Sequence, residues 1–144
     1  MILTRSQLDE LYAQMRRAAP HEMCGLLGGK DGRALKIYPI KNIAPQRAKN
    51  YLMDGAEQIR AMQDMDANGY DILAIYHSHP ATRAYPSPTD LRDAWDTALQ
   101  APRYPGTIYL ILSLRNPDMP KARGYFLNGE TITAAPLEIV ADNQ

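Results

Sequence analysis

The apolar run Ile72-Leu73-Ala74-Ile75-Tyr76 passes directly into His77-Ser78-His79-Pro80, and this junction constrains the fold more than any other stretch. A short continuous apolar run is what a strand buried on both faces requires, so it predicts a central strand of a sheet. Side chains alternate along a strand, so His77 and His79 share one face at its C-terminal end and Ser78 takes the other. Two imidazoles on one face can address one ion. Asp90, downstream of them, adds a carboxylate, and three protein ligands plus water is the arrangement of a catalytic rather than a structural zinc site.

The remaining elements follow from local chemistry. Thr4 and Gln7 form a capping box ahead of Leu8, Leu11, Tyr12, Met15 and Ala19 at helical spacing, which predicts a helix ending before Pro20. Met23 to Gly28 and Ala34 to Ile40 read as strands joined at Asp31-Gly32, a hairpin with Glu22 at its start. Lys41 to Tyr51 is polar and irregular, a loop suited to substrate contact, and Asp54 with Glu57 then caps a second helix that stops at Asn68-Gly69. Ser87, Pro88 and Asp90 sit as N-cap, first and third positions of a third helix, expected to run to about Gln100 with Trp95 in its core face. Thr107 to Leu114, Tyr125 to Leu127 and Thr131 to Thr133 read as strands, with Asn128-Gly129 as a hairpin turn and Leu137 to Val140 as an edge strand. The pattern gives an α/β fold: a single domain, residues 1–144, with a mixed sheet flanked by helices.

Composition narrows the function. With 16 basic and 16 acidic side chains there is no global charge to draw the chain onto nucleic acid or an anionic membrane, so neither is an expected partner. Cys24 is the only cysteine, which excludes an internal disulfide and a thiolate-rich zinc site. No stretch approaches the roughly 18 apolar residues of a membrane span, and the N-terminus does not read as a secretory signal, so a cytoplasmic protein is expected.

Glu22, His77, His79, Ser87 and Asp90 together resemble the signature of the JAMM (MPN+) metallopeptidases, a glutamate followed much later by His-x-His-x10-Asp with a serine in the spacer. The segment Pro20 to Gly29 is also similar to that family's glutamate-bearing strand, and the small stand-alone prokaryotic members look most alike. The resemblance implies a deaminase-like α/β/α arrangement and one Zn2+ per chain. It implies a peptidase or isopeptidase that hydrolyses the bond after the C-terminal Gly-Gly of a ubiquitin-like or sulfur-carrier protein adduct. In that scheme His77, His79 and Asp90 hold the metal, Glu22 is the general base, and Ser87 donates to the oxyanion. Oligomeric state is left open.

Each residue also has a plainer role. Asp90 serves as a helix-dipole carboxylate, Ser87 as a cap, and Cys24 as a small buried hydrophobe. Arg83 and Tyr85 in the spacer, with Arg47, Lys49 and Tyr51 in the loop, are candidate substrate contacts. Two other functions share the fold. One is a non-proteolytic MPN scaffold, whose members lack parts of the metal signature. The other is a zinc hydrolase of a small molecule, for which related nucleotide deaminases use cysteine ligands that this chain cannot supply.

Overall fold

Thr4 closes one element and opens the next. It ends strand β1 (Ile2–Thr4) and caps helix α1 (Arg5–Ala18), its hydroxyl accepting from the Gln7 amide at 3.2 Å while Gln7 Oε1 accepts from the Thr4 amide at 2.8 Å. The structure, a computed structural model, describes residues 1–143. Strands β2 (Cys24–Lys30) and β3 (Arg33–Ile40) form the hairpin, with Asp31 and Gly32 at φ 52° and 75°. Two positive φ values in succession suit the tight hairpin turn that matches strand twist.

Helix α2 (Gly55–Asn68) starts at Asp54, which accepts from the Glu57 amide, and ends at Gly69 in the left-handed region, φ 70°. Strand β4 (Asp71–His79) follows, then helix α3 (Pro88–Asp93), a two-stranded ribbon β5 (Trp95–Asp96) and β6 (Ala101–Pro102), and strands β7 (Ile108–Ser113), β8 (Lys121–Asn128), β9 (Thr131–Ala135) and β10 (Glu138–Val140). The eight-stranded mixed sheet has the order β10-β1-β3-β2-β4-β7-β8-β9. β4 is central, antiparallel to β2 and parallel to β7.

The alternation along β4 divides the core. Ala74 and Tyr76 point into a cluster with Leu11 and Met15 of α1, whereas Ile75 points into the opposite cluster with Ala61 and Met65 of α2. Helices thus cover both faces, as the sequence predicts. Gly25 of β2 is required by this packing, since a Cβ there would collide with the Tyr76 ring and the Tyr38 carbonyl. The Tyr76 hydroxyl donates to Gln14 Oε1 at 2.9 Å, fixing the ring in place.

Two expectations need correction. The third helix stops at Asp93 rather than near Gln100, because Arg103 takes the carbonyls that a longer helix needs: its Nε donates to Asp93 O and its amide to Ala94 O, both at 2.9 Å. Asp96 Oδ1 then accepts from the amides of Ala98 and Leu99, a side-chain turn that competes with helix. Trp95 therefore lies in the ribbon, half-buried, and Leu99 is 75% exposed. The second is an omission: β1, three residues long, pairs in parallel with β10 and β3.

Candidate metal and catalytic site

His77 and His79 emerge from the end of β4 on the α2 face and are almost completely buried. Their Nε2 atoms are 3.1 Å apart, and Asp90 Oδ2 lies 3.2 Å from the first and 3.1 Å from the second. Asp90 reaches them because it belongs to a capping box: Ser87 Oγ accepts from the Asp90 amide at 3.0 Å, and Asp90 Oδ2 accepts from the Ser87 amide at 2.9 Å. The same carboxylate caps α3 and faces the imidazoles. The plain structural roles of Ser87 and Asp90 thus coexist with membership of the cluster, and the Ser87 hydroxyl proton is not consumed by the cap.

The protonation pattern of this cluster decides what it can hold. The Arg83 carbonyl lies 2.9 Å from His79 Nδ1 and can only accept, so Nδ1 carries the proton and Nε2 of the neutral ring presents a lone pair. Burial opposes ionisation of Asp90, but hydrogen bonds to His77 and His79, the His77 charge and the Ser87 amide outweigh it and hold the carboxyl well below its ordinary range. A cation among these three atoms would take the place of the protons that they share. Tetrahedral ligands about 2.0–2.1 Å from a zinc ion stand about 3.3 Å apart, close to the spacing here. Two imidazoles and one carboxylate within 4.8 Å of each other therefore suit zinc in both donor type and spacing.

The two rings are steadied differently. His79 has the Arg83 carbonyl, the kind of outer partner that orients a ligating imidazole. Among the described residues, His77 Nδ1 is the buried side-chain polar atom without a hydrogen bond, and its ring is instead stacked on Tyr51 with centroids 4.5 Å apart.

Glu22 arrives from the neighbouring strand. Cys24 is the register partner of His77, and antiparallel continuation sets Glu22 opposite His79. Glu22 is 7% exposed, and its carboxyl is pushed up to about 7 by burial, with the Asp90 charge adding to the rise and His79 opposing it. A carboxyl of that affinity exchanges protons near neutral pH. Cys24 is buried, donates to the Ile40 carbonyl at 3.3 Å, and burial together with Glu22 and Glu57 pushes its thiol up to about 12. It is a packed core group rather than a nucleophile.

The candidate contacts distribute unevenly. Tyr51 joins the site through His77, and Arg47 approaches it through its backbone, whose carbonyl accepts from the Glu22 amide at 2.8 Å. Lys49 is exposed, its amide held by Gln46. The Arg83 guanidinium lies over the Tyr85 ring at 4.4 Å, and Tyr85 meets Tyr125 edge-on. Sequence reasoning missed Asn42, which donates to the carbonyls of Glu22 and Asn50 and accepts from the amides of Ala44 and Leu52. A lone asparagine in a polar loop carries no periodic signal that could have flagged it.

Comparison with known proteins agrees with this geometry. The chain belongs to the prokaryotic homologues of the JAB domain, whose family profile matches residues 4–125. A CysO-cysteine peptidase of Mycobacterium tuberculosis is 30% identical over 142 residues, covering 97% of this chain and 91% of the relative. A desampylase of Haloferax volcanii is 32% identical over 111 residues, 73% of this chain and 74% of that protein. The solution structure of a Desulfitobacterium hafniense protein, 37% identical, superposes with a TM-score of 0.84 over 99% of this chain and 94% of its own. A JAB1/MPN domain protein from Archaeoglobus fulgidus, 20% identical and covering 97% of each chain, shares the fold with a TM-score of 0.60. The JAMM resemblance and the mixed sheet flanked by helices are both borne out.

Proposed function

We propose that this protein is a zinc-dependent peptidase that hydrolyses the bond after the C-terminal Gly-Gly of a ubiquitin-like or sulfur-carrier protein in an adduct. The observation that carries this reading is the buried convergence of His77 Nε2, His79 Nε2 and Asp90 Oδ2, each within 3.2 Å of the other two. His77, His79 and Asp90 hold one Zn2+, which supplies Lewis acidity and brings the pKa of a water to about 7. The names of relatives, a CysO-cysteine peptidase and a desampylase among them, support a protein-conjugate substrate.

The chain's own groups then divide the work. Glu22, with its raised proton affinity, takes a proton from the attacking water and passes it to the departing amine. Ser87 keeps its hydroxyl proton for the oxyanion while its lone pair caps α3. Tyr51 steadies His77. On the Tyr51 side lies a cavity of about 330 Å3 whose walls include Leu52, Met53, Ile75, Tyr104 and Tyr109. Its walls, aromatic and aliphatic with Gln58, Asp93 and Arg103 among them, suit an extended tail whose last two residues, being glycines, come close to the metal. Arg47 and Lys49 on the adjoining loop, and Arg83 and Tyr85 across the site, are proposed contacts to the two halves of the adduct.

The test pairs metal content with cleavage. Purified protein is expected to hold about one zinc and to cleave a Gly-Gly-ended carrier fusion, while Glu22→Gln keeps the zinc and loses cleavage. Stoichiometric zinc without cleavage of any such carrier would point to a small-molecule hydrolase. Absence of zinc with robust complex formation would point to a scaffold.

A further inference from the structure

The two imidazoles of the metal cluster are held in unequal ways. His79 Nδ1 lies 2.9 Å from the Arg83 carbonyl, so a hydrogen bond fixes both the position and the rotation of its ring. His77 has no such bond, and its Nδ1 is the buried side-chain polar atom left without a partner among the described residues. The strand pairing explains why. Its register partners are Cys24, whose thiol is turned to the Ile40 carbonyl at 3.3 Å, and Ile111, whose side chain has no polar atom.

What His77 has instead is Tyr51. The two rings are stacked, with centroids 4.5 Å apart and planes 24° from parallel, whereas His79 meets His77 edge-on at 4.9 Å. Tyr51 comes from the loop between β3 and α2 rather than from the sheet, and one side chain brackets it: Asn42 donates to the Asn50 carbonyl and accepts from the Leu52 amide, both at 3.0 Å. Open space adjoins the Tyr51 ring, because Tyr51 is also a wall of the cavity of about 330 Å3 that includes Leu52, Met53 and Tyr104. A ring beside a cavity has room to swing. When it does, nothing on the protein fixes the rotation of the His77 imidazole.

Resting on the zinc-dependent reading above, we infer that Tyr51 is a positioning residue for His77, and that His77 is the ligand through which zinc is taken up and released, at a rate set by the Tyr51 ring and by the loop that Asn42 closes. The other two ligands form the fixed part of the centre. His79 is anchored by the Arg83 carbonyl, and Asp90 by the capping box of α3. A ring stack thus does for one imidazole what a hydrogen bond does for the other, and it is the hold that can be undone without disturbing the sheet.

The experiment mixes the zinc-loaded full chain with an excess of the colorimetric chelator pyridylazoresorcinol and follows the rate of zinc transfer. Tyr51→Leu is expected to release zinc about tenfold to hundredfold faster than the wild type, the range in which loss of an outer partner lowers metal affinity. Tyr51→Phe, which keeps the stack, should stay near the wild-type rate. Asn42→Ala touches neither ring nor ligand and should also speed release, whereas Tyr104→Leu, on the same cavity wall but without a ligand contact, should not. Thermal melting of each variant with chelator separates release from loss of fold. A wild-type release rate in Tyr51→Leu overturns the inference and leaves the zinc-dependent peptidase standing. Fast release in Tyr51→Phe assigns the hold to the hydroxyl and overturns the stack, and equal acceleration by Tyr104→Leu overturns any special role of Tyr51. An unchanged rate in Asn42→Ala removes the loop from the inference. Wild-type protein that binds no zinc overturns both readings.

Discussion

Ser78 and Met23 clamp each other through two hydrogen bonds: the Met23 amide donates to Ser78 Oγ at 2.8 Å, and the Ser78 amide donates to the Met23 carbonyl at 3.0 Å. Ser78 lies between the two histidines and Met23 directly follows Glu22, so the clamp sets Glu22 relative to His77 and His79 from the opposite face of the sheet. The serine that points away from the site thereby governs its geometry.

Ser78→Ala tests this. The buried Met23 amide would lose its partner, at a cost of about 1–3 kcal/mol. Zinc content should persist, since neither histidine is touched, while kcat falls as Glu22 loses its register. Denaturant unfolding, metal analysis and kinetics on a Gly-Gly-ended carrier separate these effects, and an unchanged kcat in a destabilised variant would deny Ser78 a positioning role.

Asp90 gives a second test, because an amide of the same shape carries no negative charge. In metal-free protein Asp90→Asn loses the charge that holds the two imidazoles and the Ser87 amide, so it should fall below the wild type in stability by about 1–3 kcal/mol. Zinc at about 100 times its dissociation constant should raise the wild-type Tm by roughly 10 °C, from about 2.7 kcal/mol of linkage, and the variant by much less. Thermal melts with chelator and with zinc make the comparison. An equal zinc response in the two proteins would remove Asp90 from the ligand set.

These tests involve residues whose placement the sequence reveals unequally. His77, His79, Ser87 and Asp90 fall under two local rules, strand alternation and the capping box, so a window of 14 residues suffices to read them. Glu22 meets them only through the pairing of β2 with β4, which periodicity does not encode. Trp95, Ala98 and Leu99 keep helical spacing, yet Arg103 and the Asp96 carboxylate divert the backbone, a competition visible only in three dimensions. Lys121 likewise comes beside Ser113 through the pairing of β7 with β8, and β1 is too short to show a period.

The raised carboxyl of Glu22 sets a pH dependence. Its ordinary value is 4.5 and burial lifts it to about 7, so folded protein binds this proton more tightly than unfolded protein does. The contribution to stability is intact below about pH 4.5 and is lost as pH rises through about 7. In metal-free protein Glu22→Gln should therefore be the more stable at pH 8, by about 1–3 kcal/mol, with the difference shrinking toward pH 5. Unfolding curves across that range decide it, and a difference independent of pH would mean that Glu22 is not the titrating group.

Asn42 satisfies all four hydrogen bonds that an amide can make with the backbone around it, joining the ends of the loop that carries Tyr51 to the carbonyl of Glu22. Asn42→Ala frees the amides of Ala44 and Leu52 and the carbonyls of Glu22 and Asn50 together, so amide hydrogen exchange at Ala44 and Leu52 should accelerate and kcat should fall. Asn42→Asp is the sharper probe, because it preserves both acceptor contacts while turning a carboxylate oxygen toward two carbonyls. It should protect Ala44 and Leu52 but still impair turnover, since the bond to Glu22 is replaced by repulsion. If Asp restores full activity, the loop needs Asn42 only to hold its own ends, and the link to Glu22 is without consequence for the chemistry.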